Sequence, residues 1–309
     1  PEGYVSSANN KTVNEGYPYY ISSDFALPYR INRIRQMLNE KEVFGIEDFK
    51  RMINDQHSNY AALLTPFILK LKDKTNELSQ SEMAALNTLS DWDYNMSKDL
   101  IAPSIFEFFR ISFIKNLLSD DFGEIYDQLT GTEKENYIYR ILKTGPDEWV
   151  DDVTTPQKET LDDIILKTFK DCIADITTQH GTDMSKWEWG NIHKIIIEHP
   201  MGSVKLVNRI FRFNSKAYSI GGSDHTVSPY QYQPGFKTFQ GASERHIFNT
   251  ANWDESLTVI PTGASGIPAS EFYLSQTKTY LEGGFYKDAF SENAVKASAR
   301  YTLVLKPEK

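Results

Sequence analysis

The sequence lacks the features of several protein classes. Its 309 residues include a single cysteine, Cys172, so no disulfide can form within the chain. No apolar run approaches the roughly 18 residues that a membrane-spanning helix requires, and no secretory signal peptide is visible. Positive charge is outnumbered: 33 Lys and Arg against 42 Asp and Glu give a net charge of −9 at pH 7, which disfavours a general surface for nucleic acid or for an anionic membrane.

What is present indicates a folded globular protein. Hydrophobic residues make up 40% of the chain and aromatic residues 13%, and the length allows one large domain or two ordinary ones. Cys172 falls on the apolar face of a helical pattern, so we expect a buried thiol, and the redox compartment stays open. The chain starts at Pro1 without a methionine, which is typical of a chain cut from something longer. The missing signal therefore says little about location.

Hydrophobic periodicity divides the chain into three portions. Residues 1–29 are predicted to form a short strand (3–8) and a long loop, residues 30–180 are mainly helical, and residues 181–309 are mainly β. Helices are predicted to begin at 30 and at 46, and the second continues to 71 with a bend or an interruption. Further helices are predicted over 79–90, 103–118, 161–176 and 270–281, whereas 131–155 is polar and turn-rich. Strands are predicted at 217–221, 227–233, 245–250, 257–261 and 300–305. Together they predict an α+β fold with a sheet built from both ends of the chain.

Two side-chain amides, Asn9 and Asn10, close the opening segment, and Arg30 follows the loop beyond them. An asparagine amide offers two uncharged N–H donors, which suits the stabilisation of an oxyanion. From these residues alone, an Asx-type turn beside a surface arginine is the alternative interpretation.

Other constellations are less specific. His193 and His199 have neither spacing of the helical zinc motifs, and His225 is expected in a turn. Gly263-Ala264-Ser265-Gly266 lacks the full pattern of a serine-hydrolase elbow. The tryptophans at 187, 189 and 253 could stack sugars or bases, but buried aromatic packing is the commoner use.

Taken together, the motifs resemble the penicillin acylase family of N-terminal-nucleophile hydrolases, over nearly the whole chain. The similarity is to the C-terminal portion of the family's β-subunit. The motifs that carry it appear in family order: Ala8-Asn9-Asn10 with Tyr29-Arg30-Ile31-Asn32-Arg33-Ile34; Asp55, Gln56 and Ser58; Trp187-x-Trp189-Gly190-x-x-His193 with His199-Pro200; Gly221-Gly222-Ser223; Gly241-Ala242-Ser243-Glu244-Arg245; and Gly263-Ala264-Ser265-Gly266 with Pro268, Ser270 and Gln276.

The resemblance implies part of a four-layer αββα fold with a large helical insertion, and amide-bond hydrolysis. In the family a precursor cleaves itself and frees an N-terminal serine, which attacks the amide carbonyl with its own α-amino group as base. By position, Asn9 would be the oxyanion donor, with Asn10 as the alternative and as a substrate-binding candidate. Arg30 would shape the polarity of the site and place the substrate. Trp189, Gly190, His199, Arg245 and Gln276 would serve structure.

One departure from the family pattern is that proline occupies position 1, so the nucleophile lies outside this chain, which alone should be inactive. The implied partners are an α-subunit, the N-terminal part of the β-subunit and a small amide substrate. The resemblance implies no organic cofactor, a structural calcium with Asp24 as the nearest ligand, and a periplasmic or secreted location. Alternatives are an N-acyl-homoserine lactone acylase within the class, a non-catalytic binding module on the same scaffold, and an unrelated carbohydrate-binding protein.

Overall fold

The computed structural model describes residues 3–14, 16–233 and 235–307, which form two compact units. The first unit contains residues up to 42, 55–195 and 218–240, and the second contains 43–54, 196–217 and residues from 241 onward. Pro1, from which the sequence predicts that the nucleophile lies outside this chain, is not among the described residues.

Helices dominate the first half of the chain. The helices of the first unit are α1 (Tyr29–Leu38), α3 (Asn59–Leu69), α4 (Gln80–Ser90), α5 (Ala102–Phe122), α6 (Gly131–Thr144), α7 (Leu161–His180) and α8 (Trp189–Ile192). Those of the second unit are α2 (Ile46–Ile53), α9 (Lys205–Phe211), α10 (Thr277–Leu281) and α11 (Glu292–Ser298).

Two small sheets follow. In the first, the order is β2 (Tyr218–Ser219), β1 (Lys194–Ile195), β4 (Lys237–Gly241) and β3 (Tyr230–Gln233), with β1 antiparallel to β2 and parallel to β4. In the second, β5 (Arg245–Ile247), β6 (Leu257–Val259) and β7 (Tyr286–Lys287) pair antiparallel in that order. This mixture of helices and small sheets confirms the predicted α+β class.

Side-chain caps set the start of several helices. The Ser79 hydroxyl accepts from Glu82 N, and the Glu82 carboxylate accepts from Ser79 N at 2.6 Å, which confirms the capping box at α4. The same reciprocal pair, Thr130 with Glu133, begins α6. The prediction of a turn-rich segment over 131–155 was therefore wrong for α6. The capping box begins a helix in this polar stretch, and Ile138 is buried on one face of it.

The core of the first unit lies between α5 and α7. Aromatic residues of α5 meet branched apolar residues of α7, and Cys172 is fully buried there as an unpaired thiol, as predicted. The fully buried members on these two helices are Ile105, Phe106, Phe109, Phe113, Ile164, Phe169, Cys172 and Ile176. No described helix is both long and apolar enough to cross a membrane.

Three local predictions were wrong. Residues 3–8 and 300–305 form no strand, since within the described residues neither segment has a neighbouring strand to supply ladder hydrogen bonds. The predicted helix over 270–281 is reduced to α10, because Ser270 and Thr262 tie the preceding residues into turns. The predicted interruption between 46 and 71 is confirmed, since α2 and α3 are separate helices and the Ser58 hydroxyl accepts from Ala61 N where α3 begins.

Candidate active site

The opening loop returns to its starting point just before α1. Ala26 N donates to the Asn9 carbonyl at 2.9 Å, so the two ends of the loop between them are joined. Asn9 itself has φ of +60°, in the left-handed region that asparagine tolerates better than most residues. Arg30 follows in the first turn of α1, and the loop closure brings it to the same place as Asn9.

Arg30 holds the Asn9 side chain in one orientation. Arg30 Nη2 donates to Asn9 Oδ1 at 3.0 Å and to the Ala8 carbonyl at 3.1 Å. Because a guanidinium can only donate, the Asn9 atom that faces it must be the amide oxygen, and Nδ2 points away with its two N–H groups. The Asn9 side chain is exposed, so these donors are accessible. Burial lowers the pKa of Arg30 despite the opposing effect of Asp224.

Asn10 lies on the inner side of the same loop and is buried. Its Oδ1 accepts from Ala8 N at 3.1 Å and its Nδ2 donates to the Lys11 carbonyl at 2.7 Å. Both ends of this amide therefore brace the loop, and the geometry favours Asn9 as the outward-facing donor. A substrate contact by Asn10 stays a prediction.

Asp24, the predicted calcium ligand, is exposed. Its backbone N–H donates to the Ser22 hydroxyl at 3.0 Å, an ordinary turn contact. The family resemblance implies that its other ligands lie outside this chain, so the calcium site stays a prediction.

A cleft of about 480 Å³ adjoins Arg30. Its walls combine charged and aromatic side chains from α1, α6 and the segment around β3 and β4. The lining residues are Ala26, Leu27, Tyr29, Arg30, Gly131, Thr132, Glu135, Asp224, His225, Gln231, Tyr232 and Phe239.

A buried network of charges, centred on Arg110 of α5, adjoins this cleft and shares Glu135, Asp224, His225 and Tyr232 with its lining. The Arg110 guanidinium donates to Glu107 at 2.7 Å, to Tyr232 Oη at 2.6 Å and to Glu135, and it lies 3.8 Å from Asp224. Burial raises the pKa of Glu107. Burial also acts to raise the pKa of Asp224, but the charges of His225 and Arg110 outweigh it and hold that pKa below its usual value.

His225 completes the network. Its Nε2 lies 3.0 and 3.1 Å from the two carboxylate oxygens of Glu135 and 3.6 Å from Asp224. Burial acts to lower the pKa of His225, but the carboxylates of Asp224 and Glu135 outweigh it and raise that pKa above its ordinary value. The sequence predicted His225 only as a turn residue, since its carboxylate partner Glu135 is 90 positions away.

The residues Glu135, Asp224 and His225 also bring one ligand atom each to within 4.8 Å of one another. A divalent cation could use such donors, but the guanidinium of Arg110 already lies against both carboxylates. The protein thus supplies the positive charge itself, and we assign the group to the salt-bridge network.

Several motif residues have the structural roles that the sequence predicts. Trp189 Nε1 donates to the Gly222 carbonyl at 2.9 Å, and His199 Nδ1 accepts from Met201 N at 3.1 Å. Arg245 donates to the Tyr280 carbonyl at 2.8 Å, and Gln276 Oε1 accepts from Ile260 N at 3.1 Å.

His193 is equally structural. It is fully buried, stacks on Trp189 and bonds Thr238 Oγ1 at 2.8 Å through Nε2. Burial lowers its pKa to about 3, so it is neutral near pH 7.

Comparison with known proteins assigns the family. The penicillin amidase family matches residues 1–297. The chain belongs to the penicillin amidase family. Relatives include the acyl-homoserine lactone acylase QuiP of Pseudomonas syringae pv. tomato, 25% identical over all of this chain and 40% of the relative. Penicillin acylase 2 proenzyme of Pseudomonas sp. strain SE83 is also 25% identical, over 99% of this chain and 39% of the relative.

The fold comparison agrees with this assignment. The thermostable penicillin G acylase from Alcaligenes faecalis matches with a TM-score of 0.61 and 17% identity, covering all of this chain and 58% of that chain. The predicted N-terminal-nucleophile hydrolase fold is thereby confirmed. This chain of the penicillin amidase family spans about 40% of the length of the curated relatives it matches.

Proposed function

We propose that this chain is part of an acylase that hydrolyses an amide bond, and that it supplies half of the active site. Support comes from its family and from relatives named as acylases. The single observation that carries the assignment of residues is the hydrogen bond from Arg30 to Asn9 Oδ1, because it turns the amide donors of Asn9 outward.

The proposed chemistry begins at an N-terminal serine outside this chain. The serine Oγ bonds to the amide carbonyl carbon while its proton passes to the serine's own α-amino group, and the carbonyl oxygen becomes an oxyanion. Asn9 Nδ2 donates to that oxyanion. The C–N bond then breaks, the amine leaves with the proton, and water hydrolyses the acyl-enzyme ester to release the acid. One donor of this kind contributes about 3–4 kcal/mol to transition-state stabilisation.

The substrate class is an N-acyl amide. The names of the relatives divide it into acyl-homoserine lactones and penicillins, and we propose both for testing. A panel of acyl-homoserine lactones, β-lactams with acyl side chains and chromogenic N-acyl 4-nitroanilides, offered to the full-length protein, tests the proposal. Hydrolysis with release of the free amine is expected for at least one class, and no amine release from any of them would contradict it.

The proposed nucleophilic serine must come from a part of the full-length protein that lies outside this chain. We propose that the full-length precursor cleaves itself into an α-subunit and a β-subunit with N-terminal serine, in the periplasm or outside the cell, and that this chain alone is inactive. Intact-mass measurement of the full-length product should give two chains. A single uncleaved chain without a serine at a processing site would favour a non-catalytic binding module.

A further inference from the structure

His225 lies between the buried charge network and the residue that precedes Arg30. On one side, its Nε2 is within 3.1 Å of both oxygens of Glu135. The Arg110 guanidinium can only donate and Glu135 accepts from it, so we assign the contact between His225 and Glu135 as a hydrogen bond that His225 Nε2 donates. The imidazole is therefore fixed in orientation by a partner that is itself held in place.

On its other side, the His225 ring packs against two tyrosines. Its centroid lies 5.4 Å from the ring of Tyr29 and 4.9 Å from the ring of Tyr60, both in edge-to-face geometry. These two tyrosines stack on each other at 4.6 Å with an interplanar angle of 5°. Both are buried, and neither hydroxyl has a hydrogen-bond partner among the described residues. Ring contacts rather than hydrogen bonds therefore hold the Tyr29 side chain, and His225 supplies one of them.

Tyr29 transmits this contact to the proposed site, because the next residue is Arg30. The Tyr29 carbonyl accepts from Asn59 Nδ2 at 3.2 Å, which also ties the start of α1 to α3. The guanidinium of Arg30 in turn orients the Asn9 amide. A continuous set of contacts thus runs from Glu135 through His225 and Tyr29 to Arg30 and Asn9.

We propose that His225 is a positioning residue for the Asn9–Arg30 site, acting by holding Tyr29 at the start of α1. This inference rests on the proposed amide hydrolysis, since it assigns His225 a role in placing the oxyanion donor. His225 itself does not contact substrate in this proposal.

The charge on His225 matters because two carboxylates, those of Glu135 and Asp224, lie against its Nε2. The titratable or charged groups that surround it are Glu107 and Arg110 of α5, Glu135 of α6, Asp224 beside it, Tyr232 of β3, Tyr29 and Arg30 of α1, and Tyr60 of α3. Loss of the imidazolium proton would leave three carboxylates, those of Glu107, Glu135 and Asp224, against the single charge of Arg110. The hydrogen bond to Glu135 would then weaken, and Tyr29 would lose its fixed neighbour.

The test measures kcat and KM against pH for the full-length enzyme, with the 4-nitroanilide or lactone that it hydrolyses best. In the wild type, kcat should fall as pH rises through the raised pKa of His225. His225→Gln keeps a donor near Glu135 but no titrating charge. It should lower kcat at pH 7 by roughly 10- to 100-fold, the scale of an ångström-sized misplacement, with little change in KM and without that alkaline fall. His180→Gln, at the end of α7, is the matched control and should keep the wild-type profile.

A second variant keeps the proposal falsifiable if His225→Gln fails to fold. Asp224→Asn removes one of the charges that stabilise the imidazolium and should move the alkaline fall to lower pH. A wild-type profile in either folded variant would overturn the role of His225. Loss of turnover in Asn9→Asp in the same assay would then show that the proposed hydrolytic site stands even though His225 has no role in it. Full turnover in Asn9→Asp would instead contradict the hydrolytic site itself.

Discussion

Arg30 Nη2 lies 3.0 Å from Asn9 Oδ1 and 3.1 Å from the Ala8 carbonyl, so a single guanidinium nitrogen bridges the side chain and the backbone of the opening loop. The bridge spans 21 positions of sequence. It determines which end of the Asn9 amide faces outward, and the proposed oxyanion chemistry depends on that choice.

Replacing the Asn9 donor should abolish most turnover. Asn9→Asp keeps the shape and the acceptor for Arg30 but exchanges two N–H donors for a negative oxygen, so kcat should fall at least about 100- to 1,000-fold, or about 3–4 kcal/mol. Steady-state amide hydrolysis by the full-length enzyme measures it. Asn9→Gly, which accepts the positive φ without strain, controls for the backbone and should also lose turnover. Near-normal kcat in both would remove Asn9 from the site.

Arg30→Lys should impair catalysis although the charge is kept. A lysine ammonium lacks the planar fork of arginine and reaches less far, so it should not hold both Asn9 Oδ1 and the Ala8 carbonyl. We expect kcat to drop by roughly 10- to 100-fold, and the thermal midpoint to change little. Arg33→Lys is the matched control, because Arg33 lies on the same helix as Arg30 and forms a salt bridge with Asp55. An equal loss of kcat there would contradict a specific role for Arg30.

The His225 network should make the free energy of unfolding decrease as pH rises through the pKa of His225 in the folded protein. A pKa raised on folding gives stabilisation that is complete below the unfolded value, about 6.5, and that is lost as pH rises through the folded value. Each unit of difference contributes about 1.4 kcal/mol to the free energy of unfolding. Urea unfolding of the full-length wild type and His225→Gln from pH 6 to 10 should show a steeper decline for the wild type. Parallel curves would contradict the assignment.

Breaking the buried ion network at its centre should be far more costly than breaking an exposed pair. Arg110→Met leaves the carboxylates of Glu107 and Glu135 buried without their main counter-charge, which costs about 3–5 kcal/mol. Arg140→Met, on α6, removes an exposed ion pair with Asp147 and should cost at most about 1 kcal/mol. Denaturant unfolding measures both, and similar losses would show that the Arg110 network adds no stability beyond an ordinary surface pair.

The amino-acid sequence was sufficient where the determining interactions are local. The capping box of Ser79 and Glu82 and the apolar stripe around Cys172 lie within a few turns of helix, and both helices form as predicted. The order of short motifs also pointed to the penicillin amidase family and to Asn9 and Arg30, because each motif can be recognised without knowing what it touches.

Tertiary structure decided what depends on distant partners. The strands predicted at 3–8 and 300–305 have no neighbouring strand within the described residues, and strand pairing cannot be deduced from one segment alone. The orientation of the Asn9 amide required the position of Arg30. His225 looked like a turn residue until the fold placed Glu135 and Tyr29 against it. Contacts across 90 or more positions come from packing of helices and strands, which no local pattern encodes.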